Sequence, residues 1–257
     1  VVTVGRINVS PIKGTALHHP TRAALTAAGI PENRRFFLID ERGGLYTSED
    51  FGPLLRVRAE YDPLSGRLSC MLPDGRTFQG DGLATDEVTT TDFYGRPVPG
   101  SLVPGPFAAA FSDFVGQQVR LVRAETDGDG PDVHHLTIVS SASVQALARG
   151  AGSEEPLDAR RFRVNLELEG CAPYEEDSWD GHEVRMGTAV VRIHGQIPRC
   201  VVTTRDPESG LKDFETLKEI ALQRERIPGD GGLPFGVYAE VERPGEVAVG
   251  DLVEPVP

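Results

Sequence analysis

Glycine and proline, 29 and 20 in number, interrupt almost every run of β-branched residues, so few segments stay unbroken long enough for a helix. Short strands tolerate that punctuation, because a turn needs one residue preset near φ −65° or free to take a positive φ. The sequence therefore predicts a mostly β chain with a few short helices (α+β), built as two packed β-barrel-like domains. Residues 4–9 and 35–40 read as strands, the second returning through 45–47 after the turn Glu41-Arg42-Gly43-Gly44. Residues 56–61 and 67–72 flank Asp62-Pro63-Leu64-Ser65-Gly66, and Pro73-Asp74-Gly75 turns the chain again, which makes a meander. Phe107, Phe111 and Phe114 fall on one face of a short helix, reached through a Pro/Gly-rich approach from Pro97 to Pro106. After a strand at 119–123 comes a polar linker, 126–132, and the domain boundary is placed there, giving domains 1–125 and 126–257. In the second half, 135–139, 163–168, 188–193, 201–204, 236–241 and 247–253 read as strands. Ser140 or Ser141 caps a helix running through Ala148, and Phe214, Leu217, Ile220 and Ala221 mark another.

Charge narrows the partners. Lys and Arg number 26 against 39 Asp and Glu, a net −13 that repels phosphate backbones and anionic lipid, so the expectation is no nucleic-acid and no membrane partner. No apolar run approaches the roughly 20 residues of a spanning helix. The opening Val1-Val2-Thr3-Val4-Gly5-Arg6 lacks a signal peptide's basic head and apolar core, so a cytoplasmic location is expected.

Cys70, Cys171 and Cys200 stand far apart with no CxxC pair, which offers neither a zinc ribbon nor a disulfide framework. Cys200 follows Pro198-Arg199 at the start of an apolar run. An adjacent guanidinium favours a reactive thiolate, and a small buried hydrophobe is the alternative. Arg161, Arg163 and Asn165, read as one strand face, form a fork of donors for an oxyanion, or surface charge paired with Glu167, Glu169 or Asp158. Lys13 and Arg34-Arg35 are further anion contacts, or solvated charges. The pairs His18-His19 and His134-His135 point to opposite faces of a strand and do not chelate together. Asp127-Gly128-Asp129-Gly130 opens like a calcium loop whose later ligands are missing, and reads as a solvated linker. GxSxG, Walker A and GxGxxG motifs are absent.

Taken in order, Arg-Phe-Arg-Val-Asn from Arg161, Glu-Glu-Asp-Ser-Trp to Trp179, Arg-Cys-Val-Val-Thr-Thr-Arg-Asp-Pro-Glu-Ser-Gly from Arg199, Phe-Gly-Val-Tyr to Tyr238 and Val-Gly-Asp to Asp251 form one series. That series resembles the MOSC domain, named for the C-terminal part of molybdenum cofactor sulfurase, and it runs from Arg161 to Val253, with 132–147 similar to the lead-in. Ser10-Pro11-Ile12-Lys13 and Asn33-Arg34-Arg35-Phe36 are similar to the β-barrel that precedes MOSC in amidoxime-reducing proteins.

The resemblance implies a molybdenum–pterin cofactor bound between the halves, with Cys200 matching the cysteine that ligates molybdenum. A soft thiolate beside Arg199 suits that metal. By the same match Arg163 and Asn165 hold the pterin, Lys13 and Arg34 face its phosphate, and Asp132 lies at the cofactor edge. Cys171, Glu176, Asp177 and Trp179 belong to the scaffold. The chain departs from the family at Asn33 (commonly Asp), at Gly14 (commonly Ser) and at Glu49, where an Arg is frequent.

The implied activity is reduction of N-hydroxylated or N-oxide small molecules. With no ferredoxin-like C-terminal extension, electrons are expected from a separate partner of the ferredoxin or cytochrome/flavin reductase type. The alternatives are a cofactor carrier and a sulfur-transfer protein with a Cys200 persulfide.

Overall fold

The computed structural model describes every residue except 129, 132, 230 and 257. The first half contributes β1 (Thr3–Ile7), β2 (Arg22–Leu25), β3 (Phe36–Asp40), β4 (Leu45–Tyr46), β5 (Arg58–Asp62), β6 (Arg67–Met71), β7 (Thr77–Asp81), β8 (Val88–Phe93), β9 (Arg96–Leu102), α1 (Phe107–Val115) and β10 (Val119–Ala124). The second contributes β11 (Leu136–Ser140), α2 (Ser141–Gly150), β12 (Leu166–Glu169), β13 (Glu183–Met186), β14 (Ala189–Pro198), α3 (Thr216–Gln223), β15 (Pro234–Arg243), β16 (Gly245–Ala248) and β17 (Val253–Pro255).

A seven-stranded sheet of order β1-β12-β11-β15-β14-β13-β17 curls into a nearly closed barrel. Backbone bonds from Val4 N to Asp251 O (2.9 Å) and from Val253 N to Val2 O (3.0 Å) draw its two edges together. Closing the edges removes unpaired N–H and C=O groups that would otherwise template aggregation. Its interior is largely aliphatic, with Ile7, Ile138, Leu166, Val191, Ile193 and Val237 all fully buried, and Trp179 and Met186 belong to the same cluster. β1, from the very start of the chain, thus belongs to a sheet otherwise made of second-half strands, and β2 pairs with β16.

The first half forms a five-stranded half-barrel, β4-β3-β10-β9-β8, beside the β5-β6-β7 meander. Phe107 and Phe111 of α1 are fully buried against Phe78, which meets them edge-on at 5.9 and 5.3 Å. Each such ring contributes about 2–3 kcal/mol through the area it removes from water. Phe114, the third ring of that helical face, packs edge-on against Phe51 at 5.5 Å.

Four local expectations differ from the structure. The strand read over 247–253 is split, β16 ending at Ala248 and β17 beginning at Val253 in a different sheet, with a turn at Val249-Gly250 between them. Residues 163–168 do not form one strand: Asp158 caps a 3-10 turn, Ala159–Phe162, by accepting from Arg160 N, and Arg163 then takes a left-handed conformation before β12 begins at Leu166. Arg161, Arg163 and Asn165 therefore do not share a strand face. Residues 201–204 are a 3-10 turn and not a strand, since the Thr203 and Thr204 hydroxyls donate back to the carbonyls of Cys200 and Val201 at 2.9 and 2.7 Å. The approach to α1 is itself the strand β9. β10 pairs with it only over Gly100–Leu102, so the missing N–H groups of Pro97 and Pro99 fall where that neighbour makes no ladder.

Candidate functional site

A cavity of about 280 Å³ opens where the half-barrel meets the barrel, and residues from eight separate stretches of chain line it. Lys13 and Arg34 come from the first half, and Arg161, Arg163, Arg199 and Cys200 from the second. In a chain with a net charge of −13, this wall collects five basic side chains and, among its described residues, one carboxylate, Glu49. Such a concentration favours an anion, because low-dielectric walls focus the field of grouped charges.

Each basic group is positioned by its own piece of local structure. Arg163 stands at the left-handed end of the 3-10 turn (φ 54°), and its Nη2 donates to Thr15 O at 2.7 Å. Arg34 is also left-handed (φ 52°), and its Nη2 donates to Arg163 O at 3.2 Å, which joins the two halves. Arg199 Nε donates to Phe235 O (2.6 Å) and Nη1 to Phe162 O (2.9 Å), with the guanidinium over the Phe162 ring. Phe162 in turn stacks on Phe235 at 4.3 Å. Lys13 is 5 % exposed, lies over the Phe93 ring and donates to Gly130 O at 3.1 Å. Arg161 differs, because its guanidinium meets both oxygens of Asp213 (3.1 and 2.9 Å), so most of its charge is answered within the protein. Its Nε is buried without a hydrogen-bond partner.

Cys200 is exposed, just past the end of β14, where the strand leaves into the 3-10 turn. The other two cysteines differ in kind. Burial pushes the thiols of Cys70 and Cys171 up to about 12, Glu176 and Glu175 adding to the effect at Cys171, so both stay protonated at neutral pH.

Backbone strain gathers at the same place. Of the four described non-glycine residues at positive φ, Arg34, Tyr94 and Arg163 all line the cavity. A bulky residue there costs on the order of 1–3 kcal/mol, and such strain persists where the surroundings hold a functional group in position. Tyr94 was not signalled by any motif. It occupies the β8–β9 hairpin turn together with Gly95 (φ 94°), both at positive φ, a turn that usually takes Asn-Gly.

The remaining site candidates fall in different places. Asn165 stands behind the wall, 4 % exposed, where its amide accepts from Thr137 Oγ1 (3.0 Å) and donates to Asn8 O (3.3 Å), tying together β11, β12 and the exit of β1. Asp132 lies outside the described residues, as does Asp129 of the calcium-like sequence. The neighbouring linker is strapped down by basic groups: Arg35 pairs with Asp127, and Arg96 Nη2 donates to Pro131 O at 2.6 Å. Of the three departures, Gly14 and Glu49 line the cavity, whereas Asn33 turns inward to accept from Ser10 N at 3.2 Å. Gly14 sits at φ +88°, and a Cβ there would come within 3.0 Å of Ser48 N, so the backbone at this point leaves a cradle that a side chain would fill.

A second, larger cavity of about 720 Å³ lies on the other flank of Arg163 and shares that residue. It is lined by Arg56, Arg58, Arg160, His18 and His19 against Glu60 and Glu208, with none of the strained tyrosine or arginine turns but Arg163 itself. Burial pulls both His18 and His19 below the usual histidine range. Size alone does not favour it, since the smaller cavity holds the exposed sulfur and the greater density of cations.

Two family models match the chain: the MOSC N-terminal beta barrel domain over residues 1–118 and the MOSC domain over residues 125–254. The chain is 34 % identical to the mitochondrial amidoxime-reducing component 1 of Homo sapiens, over 98 % of its own length and 82 % of that protein. It is 28 % identical to the mitochondrial amidoxime reducing component 2 of Macaca fascicularis, over 98 % and 83 %. A molybdenum cofactor sulfurase of Drosophila willistoni is 24 % identical over 90 % of this chain and 30 % of that protein. Among the described residues, no helix is long and apolar enough to cross a membrane.

Proposed function

The chain belongs to the MOSC family, with both the MOSC domain and its N-terminal β-barrel domain, and from that membership we propose that it is a molybdenum-cofactor oxidoreductase that reduces N–O bonds in small N-hydroxylated or N-oxide compounds. The observation that carries the reading is that one cavity is lined together by Cys200, Lys13, Arg34, Arg163 and Arg199. This donor set fits a molybdenum–pterin group. It offers one exposed soft sulfur for the metal, several cations for a phosphate, and a side-chain-free cradle at Gly14. When bound, the cofactor supplies the two-electron redox chemistry. The protein's own residues then hold and orient it. Cys200 provides the ligand, while Arg199, fixed by two backbone carbonyls, keeps a positive charge on the wall it shares with that sulfur. Lys13 and Arg34 face the phosphate, Arg163 holds the pterin, and Asn165 braces the wall behind it. The proposed division near residue 125 assigns Lys13 and Arg34 to the first domain and Cys200 to the second, with β1 and β2 crossing over to pair with strands of the second. Electrons come from a separate electron-transfer partner.

The test is metal and pterin content of protein made in a cofactor-competent host, followed by turnover of an aryl amidoxime with a reduced viologen dye. Near-stoichiometric metal with turnover supports the reading, and metal without turnover supports a carrier instead. A chain free of both metal and pterin overturns it and favours the sulfur-transfer reading, for which the exposure of Cys200 and the match to a molybdenum cofactor sulfurase speak.

Glu49 yields a separate prediction. A carboxylate lining a site built for a phosphate repels it, so Glu49→Gln is expected to slow loss of the cofactor on dilution about fivefold, on the order of 1 kcal/mol for a half-buried like charge. Unchanged loss rates would place Glu49 away from the bound anion.

A further inference from the structure

His134 lines the same cavity as Cys200, and its imidazole is held on two sides. On one side its Nδ1 lies 2.8 Å from Glu240 Oε1. On the other its ring lies parallel to that of His194, with centroids 5.1 Å apart and planes 1° apart. Tyr238, another lining residue, meets His134 at 5.0 Å. His194 Nε2 is 3.3 Å from Glu240 Oε2, within ion-pair distance but without hydrogen-bond alignment, so the carboxylate is shared unequally and belongs first to His134. This arrangement is made by register. His194 and Tyr238 are directly opposed between β14 and β15, Glu240 is two residues further along the same face of β15, and a bulge at Gly195 interrupts the ladder just past His194.

An imidazole whose Nδ1 is committed to a carboxylate has its tautomer fixed, which leaves Nε2 as the nitrogen that gives and takes a proton. We propose that His134 is the proton donor of this cavity, with Glu240 as the positioning residue that sets its tautomer and His194 as the plate that sets its ring plane. The proposal rests on the reductase reading. Reduction of an N-hydroxylated substrate follows R–NH–OH + 2 e⁻ + 2 H⁺ → R–NH₂ + H₂O. The electrons come from the electron-transfer partner. As the N–O bond breaks, Nε2–H of the imidazolium gives one proton to the departing oxygen, and solvent supplies the other. Neutral His134 then keeps its remaining proton on Nδ1, bonded to Glu240, and regains the Nε2 proton from solvent at the rim.

Glu240 lies beside the ring, and Glu49, Arg34, Arg163, Arg199 and Lys13 line the same cavity. His194 and Tyr238 flank the ring, and His135 adds its charge to those near Glu240. The hydrogen bond from His134 holds the Glu240 carboxyl below the usual carboxylate range, so it accepts as a carboxylate at neutral pH.

The experiment uses the full chain, loaded with cofactor, as wild type, His134→Ala, His134→Gln and Glu240→Ala. Turnover of an aryl amidoxime with reduced viologen is expected to fall at least about tenfold in kcat for both His134 variants, with metal content unchanged and with partial rescue of His134→Ala by added imidazole. A cofactor-independent readout is the ¹⁵N spectrum of the neutral imidazole, which should show the Nδ1–H tautomer in the wild type and a shift towards Nε2–H in Glu240→Ala. A loaded, active wild type beside a His134→Ala variant within twofold of its kcat overturns the proposal and leaves the reductase reading standing. A wild type that takes up no molybdenum fells that reading and the proposal with it. An Nε2–H tautomer in the wild type overturns the role given to Glu240.

Discussion

Replacing Cys200 with alanine is expected to strip the protein of molybdenum and leave it folded. The side chain is exposed and belongs to none of the buried clusters, and what its backbone contributes, a carbonyl accepting from Thr203 N at 3.3 Å and Thr203 Oγ1 at 2.9 Å, survives the substitution. Exposed substitutions of this kind stay within about 0.5 kcal/mol. The metal has no second soft anion to turn to, because burial pushes Cys70 and Cys171 up to about 12 and keeps both as thiols. Loss of a partner that merely orients a ligand already weakens metal affinity about 10- to 100-fold, so loss of the ligand itself should lower metal content at least tenfold under identical preparation. Metal analysis beside thermal unfolding of both proteins checks this. Full metal content in Cys200→Ala would mean that the sulfur is not the ligand, whereas loss of metal together with loss of folding would mean that the residue's role is structural.

Much of the fold was legible because turn residues and β-branched runs act locally. The β3–β4 hairpin, the β5–β6–β7 meander and α1 all follow from spacing and from Pro, Gly and Phe placement that the structure realises within a residue or two. The cap at Ser140, which accepts from Ser143 N at 3.1 Å, was readable for the same reason. What was not legible was long-range. Nothing in the sequence says that β1 pairs with β12 some 160 residues away, or that β2 finds β16. β8 and β9 escaped because Pro97 and Pro99 argue against a strand unless one flank lacks a partner, which only the assembled sheet reveals. The run Val88-Thr89-Thr90-Thr91 before Tyr94-Gly95 was the available signal.

The site divides along similar lines. Lys13, Arg34, Arg163, Arg199 and Cys200 were named from motifs, and they meet in one cavity. Tyr94, His134 and Tyr238 line it too; Tyr238 closes the Phe-Gly-Val-Tyr motif, but no role followed from that, because these residues are brought to the cavity by a hairpin turn and by the β11–β15 and β14–β15 registers. Asn165 matched a motif as well, but once Arg163 takes its left-handed turn, the residue two places on is directed into the sheet. A sequence motif preserves identity and order, and the backbone angle between two of its members decides which one reaches the cavity.

The backbone itself provides the second large effect, at Gly236 in the Phe-Gly-Val-Tyr stretch that runs from Phe235 to Tyr238. Gly236 has φ +72°, and a Cβ added there would lie 2.5 Å from Ile138 O, 3.1 Å from Arg199 Nη2 and 3.4 Å from Val139 Cβ. The first contact is with backbone, and β11 has little room to yield because Ile138 is paired with Val237 in the ladder. Gly236→Ala therefore combines the roughly 1–2 kcal/mol of a left-handed alanine with a clash of similar size, about 3 kcal/mol in all. Gly195 is the matched control. It has φ +53° and nothing within 4 Å of the added Cβ, so Gly195→Ala should cost only the conformational part, about 1 kcal/mol. For a chain of this size the two costs correspond to Tm decreases of roughly 6–12 °C and 2–4 °C. The Gly236 change should also push Arg199 off the carbonyls of Phe162 and Phe235 and reduce metal retention, an effect that Gly195→Ala should not share. Equal Tm decreases in the two variants would show that β11 moves aside freely, and the packing that fixes Arg199 beside Cys200 would then have to come from Phe162 alone.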